Sequence, residues 1–166
     1  MSNTQWIDSA GGPLIVTPLS ASATWKGLAT QDYDEACGVE DYLGLLHREW
    51  GDVLVLGDER LLTTVIQRAE GPAIVRWMYA PTKERLVDAA LTVDLDRVRP
   101  VETLIVELRD EPYVVFDAAA EGTVSERIEF VPPSGTRAIR TYVVRDVKPV
   151  GNPMRPRSTS LCFKFQ

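Results

Sequence analysis

The last six residues of the chain, Leu161-Cys162-Phe163-Lys164-Phe165-Gln166, put a large apolar side chain at every second position. A period of two sends alternate side chains to opposite faces of a strand, and an apolar face of this kind requires burial. The extreme C-terminus is therefore expected to dock in a sheet. The same rhythm recurs upstream. Leu104, Val106 and Leu108 alternate with Ile105, Glu107 and Arg109, and Tyr113–Phe116 follows the Asp110-Glu111-Pro112 turn. Ile128 and Phe130 alternate with Arg127 and Glu129, and Pro132-Pro133-Ser134-Gly135 turns the chain into Ala138–Arg145.

The first half mixes strands with short helices. Gly12-Pro13-Leu14-Ile15-Val16-Thr17 reads as a strand entered from a Gly-Gly turn and stopped by Pro18. Residues 42–47 and 53–57 flank Trp50-Gly51-Asp52 as a hairpin, with extension of a helix through Leu43–Leu46 as the alternative. Gly71-Pro72 breaks the chain before the β-branched and aromatic run Ala73–Tyr79. Thr82 is placed to cap a helix in which Leu86, Ala89, Ala90 and Val93 recur at helical spacing. Asp32 and Glu35 have the spacing of a capping box at the head of a short helix through Cys37. These elements predict an α+β, β-rich fold with antiparallel sheets and two or three short helices. At 166 residues the chain is expected to form one domain, 1–166, whose lobes 1–97 and 98–166 share a core.

The net charge of −6 is unevenly distributed. Residues 1–126 carry 22 acidic and 10 basic side chains, whereas residues 127–166 carry 2 acidic and 8 basic, among them those of a Pro-rich basic loop at 148–158. Such a division suits a self-docking basic segment or an acidic face kept for a basic partner, and it disfavours direct contact with a phosphate backbone. Between Gly27 and His47 stand Asp32, Asp34, Glu35, Glu40 and Asp41 without one lysine or arginine. This segment reads as a solvated helix face, as a binding surface for a basic partner, or as carboxylates for general acid–base work, which would need burial or like-charge crowding to raise their pKa. Trp25 and Trp50 lie beside glycines, where partial exposure is expected, and an exposed tryptophan beside an acidic segment is the kind of anchor that interfaces use.

Other chemistry lacks its usual parts. His47 is the sole histidine and no G-x-S-x-G elbow accompanies it. Cys37 and Cys162 form no CxxC pair and read as reduced, packed thiols of a cytoplasmic protein. No catalytic residue, metal or cofactor is assigned: Asp94-x-Asp96 lacks the rest of a calcium loop, and no glycine-rich phosphate loop is present. No apolar run approaches the ~18 residues of a membrane span, and residues 1–5 are polar without the features of a leader.

The pieces Trp6-Ile7-Asp8-Ser9-Ala10-Gly11-Gly12-Pro13-Leu14, Trp25-Lys26-Gly27, Tyr33-Asp34-Glu35-Ala36-Cys37 and Asp41-Tyr42-Leu43-Gly44 occur in order. With Leu54-Val55-Leu56-Gly57-Asp58-Glu59 and Arg76-Trp77-Met78-Tyr79-Ala80, they resemble the Immunity protein 21 family of bacterial polymorphic toxin systems. Arg60 stands where the family pattern leads one to expect proline, and residues 98–166 add no matching motif. The resemblance implies a cytoplasmic antitoxin, without catalytic residues or cofactor, that binds a cognate toxin. That toxin is expected to be basic, such as a nuclease. Trp25, Asp32, Asp34, Glu35, Glu40 and Asp41 are the candidate toxin-binding residues. A small hydrolase using the 32–41 carboxylates and a small-molecule-binding module are the alternatives.

Overall fold

In the computed structural model, residues 4–57, 60–124, 126–145 and 159–166 are described, and they contain ten strands in two antiparallel five-stranded sheets. The basic loop expected at 148–158 and the motif pair Asp58-Glu59 lie outside the described residues. Sheet 1 has the order β2 (Leu43–Leu46), β3 (Val53–Leu56), β1 (Leu14–Pro18), β7 (Tyr113–Asp117), β8 (Ile128–Phe130). Sheet 2 has the order β4 (Thr63–Arg68), β5 (Gly71–Tyr79), β10 (Thr159–Phe165), β9 (Gly135–Arg145), β6 (Glu102–Leu108). Two α-helices, α1 (Asp32–Cys37) and α2 (Lys83–Thr92), complete the β-rich α+β architecture. Each sheet contains strands from both sides of residues 94–100, joined at the β1–β7 pair in sheet 1 and the β5–β10 pair in sheet 2.

Alternation along the strands sorts apolar side chains into three layers. Between the sheets, Leu14, Val16, Leu54, Leu56 and Val115 of sheet 1 meet Ile74, Val106, Ile139, Phe163 and Phe165 of sheet 2. On the outer face of sheet 1, Ile15, Val53, Val55, Val114 and Phe116 pack with Trp25 and Ala36. On the outer face of sheet 2, Ala73, Val75, Tyr142 and Cys162 pack beneath Leu86 and Ala90 of α2. Strand β1 is buried on both faces, so its apolar run shows no polar alternation.

The C-terminal strand does dock, and it does so as the middle strand of sheet 2, paired with β5 on one side and β9 on the other. Phe163 and Phe165 enter the inter-sheet core, while Cys162 points the opposite way into the layer under α2. Helix α2 starts as expected: the Thr82 hydroxyl accepts from the backbone N–H of Arg85 at 3.3 Å. Its other end is held by Arg68, a nearly buried residue of β4 whose guanidinium donates to the carbonyls of Ala90 and Val93. A cation on the unsatisfied carbonyls of a helix C-terminus is favourable both as hydrogen bonding and as charge–dipole attraction.

Several local expectations are corrected. The N-cap of α1 is Gln31 without a side-chain bond, so no capping box forms, because the carboxylates of Asp32 and Glu35 have a nearby guanidinium to bind instead. Gly71-Pro72 does not precede β5 but begins it, with Gly71 (φ 123°) paired to Arg68 in the β4–β5 hairpin. Cys162 is buried, but Cys37, at the end of α1, is exposed rather than packed.

Candidate interaction surface

The acidic segment lies over the outer face of sheet 1. Ala36 is fully buried there and fixes α1 against the sheet. Tyr33 lies so close to Gly12 that a Cβ at position 12 would come within 2.6 Å of its ring. The Tyr33 phenol is held above its ordinary pKa, first by its hydrogen bond with the Cys37 side chain, then by burial and the charges around it.

Trp25 is a pillar of this layer, not an exposed side chain. It is fully buried, and its Nε1 donates to the Ala118 carbonyl at 2.8 Å. The following Gly27 (φ 53°) sits in the left-handed region, where a Cβ would lie 2.4 Å from the Ala119 carbonyl oxygen. Gly122 N–H donates to the Trp25 carbonyl, and Leu28 N–H to that of Ala119. Residues 118–122 thus close over the indole. The glycine beside Trp25 reflects this close backbone approach rather than an open turn. Trp50 is half-buried, in line with the exposure expected of it.

The five carboxylates divide into two groups. Asp32 and Glu35 share Arg48, whose Nη2 donates to Asp32 Oδ1 at 3.4 Å and to Glu35 Oε2 at 2.8 Å. Asp32 also accepts from the backbone N–H of Lys26 at 3.3 Å. The acidic segment is therefore partly neutralised by the residue that follows it, reached through the β2–β3 hairpin. Asp34, Glu40 and Asp41 are exposed and form no ion pair with a described residue. His47 is also exposed, with Nδ1 2.8 Å from Asp52 Oδ1.

A residue that sequence reasoning missed is Leu28. It is 70% exposed, on the 3-10 turn Gly27–Ala29 that packs against α1. Its signal was an apolar residue immediately after Trp25-Lys26-Gly27, but only the folded turn shows that it points outward. Among the described residues no cluster of three or more His, Cys, Asp or Glu side chains is arranged to hold a metal ion. No described helix is long and apolar enough to cross a membrane.

The motif residues are mostly architectural. Ile7 and Thr63 exchange backbone hydrogen bonds at 2.9 Å, and Asp117 accepts from the N–H of Ala10. Arg60, in place of the expected proline, donates through Nε and Nη2 to Asp8 and holds the Asp8 carboxyl below its usual range. Arg76 is fully buried with Nη1 donating to the Gly57 carbonyl, and Trp77 meets Trp6 edge-on at 6.1 Å.

A family model described as Immunity protein 21 matches residues 5–145, extending well into the half where no motif had been recognised. Neither a curated protein nor a solved structure matches the chain.

Proposed function

Because the chain belongs to the Immunity protein 21 family, we propose that it acts as an antitoxin that binds a cognate toxin domain one-to-one and occludes its active site. The observation that carries this reading is the family match over residues 5–145. It is compatible with a surface on which Asp34, Glu40 and Asp41 are exposed.

For the contact we propose the outer layer of sheet 1. Asp34, Glu40 and Asp41 offer charge to a basic toxin, a nuclease being one such class, and Leu28, on the turn against α1, offers an apolar anchor. Asp32 and Glu35 contribute through the Arg48 network that fixes α1, and Trp25 contributes from beneath as a positioning residue for the Leu28 turn. Rim charges of this kind act mainly on encounter rate, whereas a desolvated apolar anchor acts on dissociation. An antitoxin works where its toxin arrives, which for this reading is the cytoplasm.

The test is co-expression with the product of the reading frame beside its gene. A one-to-one complex and loss of toxicity are expected. A toxic product that stays free of the chain and remains active contradicts the proposal.

A further inference from the structure

Each sheet of this fold has two edges, and three of the four are short or covered. Strand β8 has three residues. Strand β4 is covered by the N-terminal segment, through the Ile7–Thr63 bridge and the Thr64 hydroxyl donating to the Gln5 carbonyl. At the start of β2, the N–H groups of Tyr42 and Leu43 donate to the Glu102 carboxylate. The remaining edge is β6, with seven residues, no proline, no lysine and no shift in its register with β9. Long, flat edges without such features are templates for added strands.

The register shows which groups this edge presents. Ala138 exchanges both of its main-chain bonds with Gln166, at 2.9 Å each, so it faces away from β6. Ile105 is its partner across the β6–β9 ladder and therefore stands at a non-hydrogen-bonded position. The N–H and C=O of Ile105 point to the open edge, and by the period of two so do those of Thr103 and Glu107. No described residue accepts from or donates to them. The side chain of Ile105 is 61% exposed, and Thr103 and Glu107 on the same face are exposed as well.

We infer that β6 is a homodimer edge, pairing antiparallel with the β6 of a second copy about a two-fold axis at Ile105. That register sets Ile105 against the partner's Ile105 and Thr103 against the partner's Glu107, satisfying every open main-chain group of the three residues. Glu102 then faces the partner's Leu108, as Glu107 faces Thr103, so no like charges stand opposite one another. For a chain of net charge −6, this self-complementary strip, whose two carboxylates face uncharged residues, is where a second copy can approach without such a clash.

The test is the mass of the purified full chain by light scattering over rising concentration. The expected result is a shift from 18.5 kDa to twice that value, abolished by Ile105→Lys with the melting temperature retained. In a Cys37→Ser background, Ile105→Cys should cross-link to itself on oxidation, because a hydrogen-bonded antiparallel pair has Cα atoms about 5.5 Å apart, within disulfide reach. A monomer at all concentrations, a dimer that survives Ile105→Lys, or failure of the 105 cross-link would overturn the inference. A monomer that loses capture of the toxin on Ile105→Lys also overturns it and assigns the edge to a toxin strand instead.

Discussion

The indole nitrogen of Trp25 donates to the carbonyl of Ala118, 93 residues further along the chain, at 2.8 Å inside the outer layer of sheet 1. This bond joins the turn that carries Leu28 to the loop following β7. Trp25→Ala removes a fully buried aromatic and should cost about 3–5 kcal/mol of stability. Trp25→Phe keeps most of the packing but orphans a buried carbonyl, at about 1–3 kcal/mol. Urea denaturation of the two variants separates packing from hydrogen bonding.

Removal of residues 160–166 takes out the middle strand of sheet 2 and withdraws Phe163 and Phe165 from the inter-sheet core. Losing two or three buried large side chains alone costs several kcal/mol, about 1.5–3 each. Because each sheet contains strands from both halves of the chain, one unfolding transition is expected, and it should disappear on truncation. Calorimetry showing an unchanged melting temperature would contradict the central position of β10.

The two thiols should differ sharply. Cys37 is exposed and is expected to react with a thiol reagent in the native protein, whereas Cys162 should react only on unfolding. Burial pushes the Cys162 thiol up from 9.0 to about 12. The folded state thus favours the neutral thiol. The stability this contributes is fully present below pH 9.0 and is lost as the pH rises toward about 12. Cys162→Ala should accordingly weaken the decline of stability across that interval, measured by denaturation at a series of pH values.

Much of the fold was legible because its signals are local. Strict alternation identified β6, β8 and β10, and the Thr82 hydroxyl marked the start of α2. Strand β4, Thr63-Thr64-Val65-Ile66-Gln67-Arg68, lacks strict alternation and ends in an arginine. Its burial depends on the carbonyls of α2, more than twenty residues away. The candidate surface failed to be legible for the same reason. Arg48 neutralises Asp32 and Glu35 only through the hairpin, and Trp25 is buried only because residues 118–122 close over it. Local text gave the acidic residues, while long-range contacts decided which of them remain exposed.

Replacing Thr82 by alanine removes the cap of α2 at an exposed position and should cost about 1 kcal/mol, with no effect on toxin binding, because α2 lies on the opposite side of the molecule's sheets from α1. Stability from denaturation and affinity from titration calorimetry distinguish the two effects. A loss of affinity in this variant would place the contact on sheet 2.

The most direct test is the association rate of the folded chain with the toxin domain that co-expression identifies as its partner, measured by stopped flow at low and high ionic strength. With Asp34→Lys and Glu40→Lys combined, the account predicts association slowed about tenfold or more at low salt, with a flattened salt dependence. Association at the parent rate and with the parent salt dependence in the folded double variant would contradict the acidic outer layer of sheet 1 as the toxin-facing surface.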